Sequence, residues 1–522
     1  MNEVKAETAE KTDIDRRRFI KGGAFIGGSA LVAGVAGRLT AGKEVPAAWA
    51  LEAEDTDLDI IETREVDIVV VGAGMSGLAA GMEAGDRGLS CVVLEKLTEP
   101  GGNGPITSGI FGYKSSYQEQ QGIDVDLGFI LCEEGKTFAY LNDALAFRDM
   151  ALASAGDIEW LESHGVGFSG VVDGYLVGSH ALSTQHWWAN ESGSSYVDAA
   201  VSELDRMGVE LLLETPAVKL VLEDGAVKGV VAKSENGYVE FRAKGTILAT
   251  GGWLNNVEQM ERLGYAQDTL WVDCLDGHDG DGLRLAMEAG AVDLSVSAGY
   301  VGNACLSDQG FPAPTDDLVI NGKTLWVNQN GERFVDESVG SLIPAYSSNA
   351  LFSQGGKAFV VFDQTLADQI GQSIIDEVMG ANSKQDKWIE DTVDALAEDM
   401  GVDPERLKAT VTRYNELAAA GVDTDFCKAA DCMTAVAEAP FYAARLNYDY
   451  LCSVGGIHTD RNMRVIDLLR RPIEGLYAIG VDGCELYKDT YTINIPASCN
   501  GNNVYSGRQA VRSICGEGID IA

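Results

Sequence analysis

Gly72, Gly74 and Gly77 follow directly on the apolar run Ile68-Val-Val-Val71, and Glu95 closes a second run, Cys91-Val-Val-Leu94, 23 residues after Gly72. Between a buried strand and a helix, such glycines hold a pyrophosphate on free backbone N–H groups. Gly72 allows the tight turn, Gly74 lets the backbone approach the phosphates, and Gly77 lets the helix lie close to the sheet, with Met75 and Ser76 completing the turn. An acid about 20 residues further on holds ribose hydroxyls, which is the place of Glu95. Glycine turns also serve purely structural ends, but the second run ending in an acid favours a dinucleotide site.

Histidine and cysteine offer little further chemistry. Of the five histidines, His278 stands just before a helix in Asp276-Gly-His-Asp-Gly-Asp-Gly282, His458 belongs to a turn, and His164 ends a surface-like helix. His180 and His186 lie beside Trp187-Trp188 in a segment read as reaching a pocket mouth, with His186 as a substrate wall. The ten cysteines form no CxxC or CxxCH, and the close pair Cys427 and Cys432 lacks histidine partners. No metal, haem or iron-sulfur site is therefore expected, and electrons must come from a separate donor.

The elements that position these residues begin after residue 50. Arg16-Arg17-Arg18-Phe19-Ile20-Lys21 precedes a glycine-rich apolar stretch, Gly22 to Leu39, and Ala48-Trp49-Ala50 is a small-x-small cleavage site. Residues 1–50 thus resemble a twin-arginine export signal, too short and glycine-rich for a stable membrane anchor. The net charge of −41 excludes nucleic acid and anionic lipid as partners and favours a basic one. Beyond the leader, strand, helix and strand are expected over 58–96, helices over 125–164, strands over 210–214, 217–222 and 227–232, and a strand entering Gly251-Gly252. Ala358-Phe-Val-Val-Phe362 reads as a buried strand, 384–417 as a charged helix, and about 502–515 as a final helix.

Taken together, Glu95-Lys96 with Gly101-Gly102-Asn103, Ser108-Gly109, Gly251-Gly252, Gly280-Asp-Gly-Leu283, Asn330-Gly-Glu-Arg-Phe334, Gly455-Gly456 and Gly475-Leu-Tyr-Ala478 resemble the flavoprotein family of fumarate reductases and succinate dehydrogenases. The likeness is to the branch with soluble exported reductases and 3-ketosteroid dehydrogenases. It implies an α/β fold: a Rossmann-like FAD-binding domain (62–292 and 445–522) with an inserted α+β substrate-capping domain (293–444). The resemblance implies FAD, bound without a covalent link, on Lys96, Gly102, Asn103, Thr107, Ser108, Gly109, Val218, Gly251, Asp281, Asp482 and Asn503, beside the residues of the glycine turn and Glu95.

The chain departs from the fumarate pattern where substrate chemistry is decided. No basic residue occupies Asp336 to Ala350, where the family's arginine acid stands, and neither histidine nor arginine occurs in Lys488 to Asn500. Two carboxylates in a closed site need fixed cations, so fumarate and succinate are poor substrates here. Tyrosines stand instead: by the likeness to 3-ketosteroid dehydrogenases, Tyr491 is expected to be catalytic, with Tyr487 as second choice, and Tyr346 is a further choice because it stands where the fumarate-type acid would be. Lys488, Asn494 and Ser498 are expected to touch substrate. The implied reaction is hydride transfer from FAD to the activated C=C bond of an enone or unsaturated monoacid, with electrons from an external donor such as a basic cytochrome. A 3-ketosteroid-type dehydrogenase and a non-catalytic flavin electron carrier are the alternatives.

Overall fold

The computed structural model describes residues 58–171, 182–265, 270–272, 274–295, 300–306, 315–319, 322–342, 344–381, 386–483, 486–487, 491 and 495–520. Residues 1–50, expected to be a leader, and His180, Lys488 and Asn494 lie outside them.

The uninterrupted apolar runs form the middle of a sheet covered on both faces. Strand Ile60–Val71 pairs in parallel with Cys91–Leu94 on one side and Gly237–Leu248 on the other, and Glu210–Leu212 and Pro472–Ala478 extend the parallel order. Side chains alternate across it: Val69, Val71, Val92 and Leu94 enter one core, while Ile68, Val70 and Val93 enter a second. A meander of Ala217–Glu223 and Ala226–Ser234 leads back into Gly237–Leu248. This is the α/β fold with a central parallel sheet that the glycine motif implies.

Helix Met75–Asp86 lies on the second face with ten of its twelve residues buried. The last helix, Ser498–Ile514, packs along it, and Arg508 joins them by pairing with Glu83 (2.8 Å) and Asp157. His164 caps the helix Ala144–Ser163, but it is buried rather than superficial, held between Glu203 (2.8 Å) and Asp86 (3.0 Å). A separate antiparallel sheet, in the order Leu325–Asn328, Ala358–Asp363, Phe441–Arg445 and Lys387–Glu390, carries its own core against helices Val393–Met400 and Pro404–Ala420.

Two expectations need correction. The charged helix over 384–417 is a strand and two helices, because Gly401 takes a left-handed conformation that ends one helix and Asp403 and Pro404 start the next. The final helix begins at Ser498 rather than near Asn502, since Asn500 and Gly501, poor helix formers, are buried there. Asn500 also donates to the Gly109 carbonyl at 2.6 Å. Among the described residues no helix is long and apolar enough to cross a membrane.

Candidate functional site: a dinucleotide cavity with a phenol and thiol wall

Gly72 has φ +108°, and a Cβ there would lie 2.3 Å from the Ala249 carbonyl oxygen, so the turn admits no side chain. A Cβ on Gly77 would meet the Gly72 carbonyl at 1.9 Å, which is why helix and turn pack so closely. Gly74, by contrast, faces open space and begins the helix Met75–Asp86 with no side-chain cap and no acid in the first turn. Its first N–H groups are left for a ligand. The last helix is likewise uncapped by any side chain at Ala497. Both helix N-termini line one cavity of about 290 Å³.

Glu95 lines this cavity, its carboxylate already accepting the Ala73 and Leu97 backbone N–H groups at 2.8 and 2.9 Å. Two such contacts leave lone pairs for hydroxyls. Lys96 pairs with Asp279 (2.6 Å) and Asp281 (2.7 Å); burial opposes its charge, but the two carboxylates outweigh this and raise its pKa. Asn103 bridges the cavity's walls, donating to the Leu451 carbonyl and accepting from the Leu275 N–H, both at 2.8 Å. Gly102, Thr107, Ser108, Gly109, Gly251 and Asn503 also line it.

His278 supplies the test of fit. Its Nδ1 donates to the Gly251 carbonyl at 2.9 Å, which leaves Nε2 an acceptor, and burial lowers its pKa. That Nε2 is buried without a hydrogen-bond partner among the described residues, in the cavity wall. A buried acceptor, the bare N–H groups at the start of helix Met75–Asp86 and a turn without side chains suit the phosphates and hydroxyls of a dinucleotide.

Beyond Asn103, the wall is made by Leu451, Cys452, Val481, Tyr491 and Cys499. The Tyr487 hydroxyl donates to Ser498 Oγ at 2.7 Å, the Tyr491 side chain also bonds Ser498, and the two rings lie 4.7 Å apart. Burial above all, with the Cys499 and Cys452 thiols adding to it, holds the Tyr491 phenol well above its ordinary pKa. It stays protonated and able to donate. Among the described lining residues, Lys96 and His278 are the basic ones, the first tied to two aspartates and the second neutral.

Several expected contacts face elsewhere. His186 is wholly buried against Ser115 (2.6 Å); its neighbour Gln185 lines the cavity and donates to Ser108 Oγ at 2.9 Å. Successive residues of a strand point to opposite sides, and the sequence did not say which side was which. Ser498 sits behind the wall between the two phenols. Val218 gives its carbonyl to Arg284, while Thr215, Pro216 and Ala217 line the cavity. The Asp482 carboxylate, its pKa raised by burial, holds Thr250 and Gly252 (2.9 Å to the Gly252 N–H), so its neighbour Val481 takes the wall. Tyr346, on helix Pro344–Ser353, bonds Thr137 away from the wall.

The FAD binding domain family matches residues 67–493. Over 477 residues the chain is 33% identical to the vinyl phenol reductase of Lactiplantibacillus plantarum, covering 85% of this chain and 95% of that one. Identity to the fumarate reductase (cytochrome) of Shewanella frigidimarina is 28% over 424 residues, 80% of this chain and 71% of that one. Among solved structures, a 3-ketosteroid-delta4-(5alpha)-dehydrogenase from Rhodococcus jostii RHA1 shares the fold, with a TM-score of 0.67 at 24% identity over 88% of this chain and 98% of that one. With its glycine turn, acid and uncapped helix ends around one cavity, the chain belongs to the FAD binding domain family, and it is an FAD-binding oxidoreductase.

Proposed function

We propose that the protein reduces the C=C bond of a small neutral or monoanionic compound, an enone, an unsaturated monoacid or an aryl-conjugated alkene. The observation that carries this reading is Tyr491, a protonated phenol in a cavity wall whose described lining offers no unpaired cation. The likeness to a vinyl phenol reductase over nearly its full length supports it. FAD, when bound, supplies the hydride. Tyr491 gives a proton to the other alkene carbon, and its hydroxyl is steered by Ser498, which Tyr487 holds in place from behind. A phenol can assist such a substrate without adding a charge that the substrate does not match.

Glu95 holds the ribose hydroxyls and the N–H groups at Gly74, Met75 and Ser76 hold the pyrophosphate in this reading. Residues 293–444 act as the cap that closes over substrate. FAD is bound without a covalent link, the leader directs export of the folded protein by the twin-arginine route, and a basic redox protein brings electrons to a surface of net charge −41.

Tyr491→Phe tests the central role. FAD stays bound and turnover falls roughly a hundredfold or more. In parallel, anaerobically reduced enzyme is mixed with 4-vinylphenol, enones, acrylates and fumarate, and flavin reoxidation is followed. Unchanged turnover of the variant removes Tyr491 from the chemistry, and brisk reoxidation by fumarate overturns the assignment of substrate class.

A further inference from the structure

Cys452 stands next to last in the strand Asn447–Ser453, and Cys499 stands in the first turn of the helix Ser498–Ile514. Both side chains line the FAD cavity, and both also line a small cavity next to it that Tyr487 and Gly455 help to form. The pair is part of the partition between the two. The two thiols are hydrogen-bonded to one another, and neither is in a disulfide.

Their surroundings make the two sulfurs unlike. Cys499 lies in the first turn of the last helix, whose dipole favours a thiolate, and the Cys452 thiol bonded to it lowers its pKa. For Cys452 that same bond and then burial raise the pKa well above the ordinary value. A thiol of lowered pKa beside one of raised pKa suits dithiol oxidation, because the first gives up its proton more readily. A purely packing role does not explain why two partly exposed thiols meet at the wall of a redox cofactor's cavity from segments 47 residues apart.

We propose that Cys452 and Cys499 are a redox-active dithiol that exchanges two electrons with the FAD in the same cavity. In the oxidising direction both S–H bonds are lost and one S–S bond forms between Cys452 and Cys499. The two electrons pass to FAD, which becomes reduced flavin with the protons released. In reverse, reduced flavin returns both electrons, the S–S bond breaks and each sulfur regains a proton. The enzyme thereby stores a second electron pair beside its cofactor. This depends on bound FAD and on no particular substrate, so it stands or falls apart from the alkene reading.

The experiment is an anaerobic dithionite titration of purified holoenzyme first oxidised with ferricyanide, with no alkene present. Wild type takes up roughly four electrons per FAD, while Cys499→Ser and Cys452→Ser each take up roughly two and keep the bound-flavin spectrum. Cys132→Ser, an exposed cysteine that lines neither cavity, stays at roughly four. Mass spectrometry of alkylated wild type reads the pair without any variant: a Cys452–Cys499 linked peptide is present in the oxidised enzyme and absent after titration. Uptake of roughly two electrons by wild type, or both thiols alkylated in the oxidised enzyme, overturns the proposal. So does a four-electron uptake that survives both serine variants.

Discussion

His186 makes folding stability depend on pH, and replacing it with glutamine removes a defined part of that dependence. Its Nδ1–H donates to the Thr184 carbonyl (3.1 Å), and Nε2 faces Ser115 Oγ at 2.6 Å. That Oγ also accepts the Gln118 N–H at 3.1 Å, and burial, outweighing the Thr184 and Ile110 carbonyls, keeps the ring neutral. Burial lowers the pKa to about 4. The unfolded chain takes up a proton near the ordinary value of about 6.5, which the folded ring refuses. Stability therefore falls as pH drops from about 6.5 towards 4, and the contribution is constant below both values. A difference of roughly 2.5 units corresponds to about 3 kcal/mol in full, of which about 2 kcal/mol is lost by pH 5. Glutamine offers one donor and one acceptor and does not titrate. In urea unfolding of the holoenzyme at pH 7 and pH 5, wild type loses about 2 kcal/mol more than His186→Gln. Equal losses for the two proteins refute a neutral buried imidazole.

Gly72→Ala puts a methyl group 2.3 Å from the Ala249 carbonyl oxygen at a positive φ, so the variant purifies without yellow colour, as absorbance at the flavin bands reports. His278→Leu removes the acceptor at Nε2 and weakens FAD by roughly tenfold in fluorescence titration of apoprotein; unaltered affinity rules out a contact there. Lys428 is buried beside Glu337 (3.1 Å), which Arg333 also holds at 2.8 Å, and burial lowers the lysine's pKa. Lys428→Met leaves that carboxylate half-matched and destabilises the fold by about 3 kcal/mol in denaturant unfolding, with the bound-flavin spectrum intact at pH 7.

How much was legible in the sequence depended on how local the determining physics was. The strand, turn and helix around Gly72 read correctly because each glycine answers a constraint within a few residues, and Ala358 to Phe362 because a short apolar run has few other uses. The stop and start at Gly401-Val-Asp403-Pro404 was also written locally, and its charged surroundings concealed it. Gln185 and the Cys452–Cys499 pair are different. Which face of strand Gln185–Trp188 meets the cavity is fixed by pairing with Gly109–Phe111, and the thiols meet through tertiary packing alone. Tyr346 was expected to reach the site because it stands where the family's acid does, yet its helix turns its phenol to Thr137.

The cavity draws its lining from positions between Val71 and Asn503, and the last helix supplies one of its two uncapped ends. During translation, therefore, the nascent chain has no complete pocket until Asn503 has left the ribosome. The flavin can find its full set of contacts only after that point, and any route that carries the protein unfolded across a membrane would have to deliver the cofactor on the far side.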